Sequence, residues 1–401
     1  MNAARAGRAG GANGHSSPGR VVVLGVLGQA PFAGVSWQVL HYLEAFRRLG
    51  WDVHYVEDTG EWPYDPVANT VSADCSHALR HIDASLARCQ LGDRWAYRSA
   101  AEGGRVHGPA AAAFPDLFAH ADLLVNLTGA TVLGEEHLVV PRRLYLETDP
   151  VLPQVEVAQG RSFTVGLLEA HTHWASFGEN LGAPDCGVPA TPFPYLPTRQ
   201  PVVLDWWEGQ GPPRRRAYTT VASWRQTGKD VEWGGERYSW SKDEEFRKVL
   251  DLPGRVAPSL ELALACDDTA DLTLLRDHGW RVVPAMPLSL DLDRYRDYIV
   301  ESRAEFTVAK DQNVRLRSGW FSDRSACYLA AGRPVVTQDT AFARAIPTGK
   351  GLLSFLDLDG AAAAVEEIER DYEGHTRAAR ELAHACFDAV SVVGELVERV
   401  A

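Results

Sequence analysis

Residues 305–340 read EFTVAKDQNVRLRSGWFSDRSACYLAAGRPVVTQDT. The short apolar run from Glu305 to Ala309 predicts a strand, and a polar loop through Arg317-Ser318-Gly319-Trp320 follows it. Arg324 to Ala331 predicts a helix, which Gly332 closes because glycine takes the left-handed conformation that ends helices. Pro334 then opens a strand reaching Thr337. Strand, loop, helix and strand in this order make a parallel crossover, whose ligand groups lie beyond the carboxyl ends of the strands.

The alternation continues outward on both sides. Upstream, Tyr218–Ser223, Leu260–Ala265 and Trp280–Val283 predict strands, with helices at Lys242–Leu250 and Asp271–His278. Downstream, residues 346–353 predict a turn and strand, and the Ala- and Glu-rich tail from Gly360 is helical. A second set begins at Val21 with VVVLGVLGQ, apolar enough for a strand covered on both faces. Trp37, Leu40, Leu43 and Phe46 recur at helical spacing before Gly50, and WDVHYVED ends a second strand in two acids. A helical stretch near Ser72–Leu91, strands at Ala121–Leu127 and Arg142–Glu147, and an apolar run at Phe163–Leu168 complete this half.

Prolines crowd between Gly182 and Pro213, which predicts an irregular crossing between two α/β, doubly wound, Rossmann-like domains facing a cleft. The expected bounds are a disordered leader over 1–20, an acceptor-side domain over 21–200, and a donor-binding domain with C-terminal helices over 201–401.

The 401 residues carry 40 Lys+Arg against 53 Asp+Glu, a net charge of −13. That balance argues against a nucleic-acid partner, since phosphate affinity is built from excess cations. No apolar run reaches the length needed to span a bilayer, and the first twenty residues lack a secretory signal's apolar stretch. Six well-separated cysteines without close pairs read as reduced thiols of a cytoplasmic protein.

The 305–340 block resembles the donor-binding region of nucleotide-sugar glycosyltransferases of the GT-B fold: Phe306–Ala309, the Arg317–Trp320 loop, the helix Ser325–Ala331 and Gly332-Arg333-Pro334-Val335-Val336 match in order. VLGVLGQAPFAGVSWQVLHYLEAFRRLGWDVHYVED is similar to that fold's opening, where a glycine loop carrying Gly28 and Gly34 lines the acceptor side. The resemblance implies a nucleotide-sugar donor and no further cofactor; a small-molecule acceptor such as a natural product is expected from the absence of a basic or amphipathic membrane-binding segment. One departure is plain: the two glutamates that many retaining members carry eight positions apart fall here at Gly319 and Cys327.

Sugar transfer needs the departing diphosphate neutralised, the sugar hydroxyls recognised and, in an inverting enzyme, a base for the acceptor. Lys310, Arg315, Arg317 and Arg324, with the start of the following helix at Ser325, suit the first task; Ser318, Gly319, Asp323, Gln338 and Asp339 stand where donor contacts are expected. Ser223, Arg225 and Lys242 extend that wall, and Trp224, Trp233 and Trp240 can stack on a base or sugar. Asp149 leads the base candidates, ahead of Glu57, Asp58 and His171; its alternative role is to cap a turn beside Pro150. Asp291-Leu292-Asp293 and Asp357-Leu358-Asp359 read as helix N-caps rather than metal motifs, so no catalytic metal is expected. Competing readings are a sugar-nucleotide epimerase, a non-catalytic sensor, and an oxidoreductase. The last is disfavoured because Gly25 to Pro31 lacks the third fingerprint glycine.

Overall fold

The computed structural model describes residues 19–208 and 211–401, so most of the expected leader lies outside the described residues. Arg20 already belongs to the first strand.

Val21 to Leu24 are fully buried, as a strand covered on both faces must be. From edge to edge, the first sheet runs Tyr195–Pro197, His173–Ser176, Arg143–Glu147, Leu123–Leu127, Arg20–Leu24, Asp52–Glu57, Trp95–Ser99 and Arg105–His107. Every pairing is parallel except the last, an antiparallel hairpin that closes one edge. The helix Ala33–Arg48 buries Trp37, Leu40, Leu43 and Phe46, and Trp37 Nε1 donates to Leu292 O of the second half at 3.1 Å.

The second sheet runs Arg281–Pro284, Leu260–Ala265, Tyr218–Ser223, Ala304–Thr307, Val335–Gln338 and Leu352–Phe355, parallel throughout. The helix Asp323–Ala330 is stopped by Gly332 at φ 69°. Asp291 and Asp357 cap helices through Asp293, Arg294 and Gly360 N–H groups. Asp339 holds the Ala341 N–H at 3.0 Å in a turn.

One stretch differs from its sequence reading and one apolar run gains its assignment. Residues 195–197, within the proline-rich crossing, form the edge strand of the first sheet, where a proline at the strand end forfeits no interior bond. The apolar run at 163–168 is the helix Ser162–Glu169.

The chain passes between the halves twice. Val202 follows the first sheet, and its N–H donates to Phe387 O while its carbonyl accepts from Ala389 N. The helix Tyr372–Phe387 packs on the helix Asp323–Ala330, and the final helix Ala389–Arg399 returns to the helix Ala33–Arg48.

Candidate active site in the cleft

Both sheets reverse their winding at the central strands, and a cleft of about 800 Å³ opens where those strands end. On the first half, Gln29, Ala30, Thr128 and Gly129 line it from the loops after Arg20–Leu24 and Leu123–Leu127, and Gly34 from the first turn of the helix Ala33–Arg48. On the second half, Tyr218–Ser223 and Ala304–Thr307 pair only at Tyr218 with Ala304 and Thr219 with Glu305, then splay. Arg324 fills the splay: its guanidinium donates to Glu305 Oε1 at 2.6 Å, Val221 O at 2.6 Å and Thr307 Oγ1 at 3.0 Å.

The charged centre spans the cleft. Lys310 Nζ lies 2.7 Å from Asp149 Oδ2 and 4.1 Å from the Trp240 ring centroid. Lys229 Nζ lies 4.9 Å from the same ring, and Trp240 Nε1 donates to Asp149 Oδ2 at 2.5 Å. Asp149 Oδ1 is buried without a hydrogen-bond partner. Burial pushes the Asp149 carboxyl up, but Lys310, Lys229 and the bonds from Lys310 and Trp240 outweigh it and hold the group below the usual carboxylate range. Burial pulls the Lys310 ammonium below the ordinary lysine range despite Asp149. Behind it Lys242, buried and without a carboxylate partner among the described residues, is pulled well down by burial and then by Arg324 and Lys310.

Two other carboxyls face the cleft. Burial raises Glu147 to about 8 against bonds from Ser176 Oγ and Gln154 Nε2, so it is protonated at neutral pH. Burial raises Asp323, in the first turn of the helix Asp323–Ala330, to about 6. Among the described residues, no group of three metal-ligating side chains lines this cleft.

Of the residues singled out from sequence, Gly34, Asp149, Trp240, Lys310, Asp323 and Arg324 line the cleft. The others lie off its wall. Glu57 is buried under the first loop, accepting from Gly28 N, Gln29 N and Tyr55 Oη, and burial raises it to about 7. Gly28 is thereby fixed as part of the loop's underside. Asp58 faces Arg98 and His137. His171 is a buried imidazole between Leu167 O and Asn126 Nδ2, pushed down to about 4 by burial.

On the second half, Ser223 ends its strand outside the cleft, and Arg225 pairs with Asp243, Asp268 and Asp271. Arg315 pairs with Glu236 and Asp311 and covers the Tyr238 ring. Arg317 pairs with Asp185 and Asp339. Ser318 bonds Asn313, Gly319 donates to Thr340 O, Ser325 is buried within the helix Asp323–Ala330, and Gln338 donates to Glu245. For the three arginines Arg225, Arg315 and Arg317 the reason is shared: nearby carboxylates take up their guanidinium groups. Trp224 is a core residue bonded to Asp271.

Sequence reasoning missed Lys229, Gln38 and Tyr295, which also line the cleft. Lys229 sits in a polar turn with no spacing to mark it. Trp320, the last residue of the loop marked from sequence, lines the cleft as well, and its Nε1 donates to Thr148 O at 3.0 Å.

No family model matches the sequence, and neither does any curated protein. Solved structures do match. AviGT4, a glycosyltransferase involved in avilamycin A biosynthesis, superposes with TM-score 0.53 at 12% identity, over 96% of this chain and 97% of that one. Alr3699/HepE from Anabaena, in complex with UDP-glucose, gives TM-score 0.56 at 11% identity over 95% and 99%. An alpha-glucosyltransferase in complex with UDP-glucose and DNA containing an abasic site gives 0.53 at 10% over 96% and 99%. With its two facing doubly wound sheets, the chain has the GT-B glycosyltransferase fold.

Proposed function

We propose that this GT-B chain is a glycosyltransferase moving a sugar from a nucleotide sugar to a small-molecule acceptor, without a catalytic metal. The observation that carries the reading is the pair of ammonium groups, Lys229 and Lys310, held over Trp240 and facing Asp149 across the cleft.

The donor's diphosphate lies against Lys229 and Lys310, with the buried Lys242 behind them, on the half whose sheet has the nucleotide-binding strand order. The acceptor enters from the first half. Its hydroxyl gives its proton to Asp149 as oxygen bonds the anomeric carbon; the bond from that carbon to phosphate oxygen breaks, and the charge stays on the nucleoside diphosphate. When the diphosphate draws Lys310 toward itself, Asp149 loses the partner that holds its carboxyl down, so donor binding makes the base stronger.

Complexes of two neighbours with UDP-glucose make uridine diphosphate the first nucleotide to try. Although one neighbour was solved with DNA, a net charge of −13 favours a small acceptor. Among the described residues no helix is long and apolar enough to cross a membrane. A cytoplasmic location is the reading that six free cysteines favour.

The test is a thermal-shift panel of nucleoside diphosphates, since a ligand that binds only the folded state raises the melting temperature. One diphosphate should raise it, and the matching nucleotide sugar should turn over only with acceptor present. Turnover of donor alone would favour the epimerase, and binding without turnover the sensor. Turnover is expected to survive exhaustive chelation; loss that magnesium or manganese restores would overturn the metal-free reading.

A further inference from the structure

Away from the cleft, Cys75, Glu102 and His107 bring three metal-ligating atoms together from two separate pieces of chain. Cys75 immediately precedes the helix Ser76–Ala87, Glu102 lies in the turn of the antiparallel edge hairpin, and His107 ends that hairpin's second strand. Cys75 Sγ lies 3.5 Å from Glu102 Oε2 and 3.9 Å from His107 Nε2, and Glu102 Oε2 meets His107 Nε2 directly. The thiol is buried, while the imidazole and carboxylate reach partly into solvent. Glu102 Oε1 faces away, toward the exposed Arg105 at 3.7 Å.

We propose that these three side chains bind a zinc-class divalent cation that clips the edge hairpin to the helix. Zinc takes sulfur at about 2.3 Å and nitrogen or oxygen at about 2.0 to 2.2 Å. The two sulfur separations fit a common ion at those lengths, and the carboxylate and imidazole need only open apart to admit it. One thiolate, one imidazole and one carboxylate form a borderline-soft set that favours zinc over magnesium or calcium. Binding releases the thiol proton of Cys75, and thiolate, carboxylate and divalent cation then sum to no net charge, which suits a half-buried position.

The clip acts on the fold rather than on sugar transfer. The helix it anchors carries Ala78 and Ile82, which pack so closely under Gly28 that a β-carbon there would lie 2.9 Å from Ala78 Cβ. Gly28 leads into Gln29 and Ala30 of the cleft wall. None of the three ligands lines the cleft.

The full chain, purified with chelator and freed of it, is titrated with cobalt as a spectroscopic substitute for zinc. Expected are one cobalt per chain, a thiolate-to-cobalt charge-transfer band that zinc abolishes, and a rise in melting temperature with zinc. Cys75→Ser should remove the band, and His107→Ala should weaken both effects while leaving Cys75 in place. Absence of the band in the unaltered protein overturns the proposal without recourse to any variant. So does a zinc-induced stabilisation that persists in both variants, which would place the ion elsewhere and leave Glu102 and His107 as an ion pair with a thiol donor.

Discussion

Asp149 is the partner of Lys310 in this structure and, in the proposed function, the base, with its Oδ1 buried and unpaired. Asp149→Asn keeps a side chain of the same shape but removes the basic oxygen. It should lower kcat by about 10² to 10⁴, the usual value of a general base, in steady-state assays. Near-normal turnover would move the search to Asp323, whose carboxyl titrates at about 6. Lys310→Ala should weaken nucleoside diphosphate binding by roughly 1.5 to 3 kcal/mol in calorimetry, the value of a charge-assisted bond; unchanged affinity would remove Lys310 from the donor site. At this scale the sequence was only partly legible. Asp149 and Lys310 stand at strand ends, where a parallel sheet presents ligand groups. What the sequence could not show is which cation would find a carboxylate first: Arg317 and Arg324 lie in the same motif as Lys310, yet their guanidinium groups are held by Asp185 and Glu305.

The loop after Lys310 behaves as an element whose glycine has a packing reason. Gly319 has φ 81°, and a β-carbon there would lie 2.3 Å from Asn180 N on the first half, backbone against backbone. Asn180 N donates to Ser318 O, and Asn180 Nδ2 to Arg317 O at 2.8 Å, so the loop is welded to the opposite half. Gly319→Ala should therefore cost about 2 kcal/mol or more in urea denaturation. Gly103→Ala, at φ 67° with open space around it, should cost about 1 kcal/mol or less. Equal costs would show that conformational strain alone matters at both. Helices and central strands were legible because caps, periodicity and buried apolar runs are local signals. The edge hairpin of Trp95–Ser99 and Arg105–His107 and the strand Tyr195–Pro197 were not, since short edge strands with polar or proline residues draw their pairing from the neighbouring strand rather than from their own composition.

Taken as a whole, the molecule buries titratable groups of opposite habit. His41, His81, His137 and His171 are pushed from 6.5 down to about 3 or 4 by burial, so the stability they allow is present above pH 6.5 and is lost as pH falls through those values. Glu57 and Glu147 are raised from 4.5 to about 7 and 8, so their contribution is present below pH 4.5 and is lost as pH rises through 7 and 8. The melting temperature should therefore peak on the mildly acidic side and decline between pH 6.5 and 8. A steady rise across that interval, followed by differential scanning calorimetry, would contradict the burial of the two glutamates as acids.

The double passage of the main chain, with Val202 lying in hydrogen-bonded register beside Asp388, has a mechanical consequence. Two adjacent strands of chain joined side by side resist translation and shear far better than twisting. The halves are thus expected to move by turning about a line through Val202 and Asp388, as pages turn about a spine. Displacements grow with distance from that line. A single backbone cut near either passage leaves the other as a tether, so a nicked chain should still elute from a sizing column as one particle, coming apart only in denaturant.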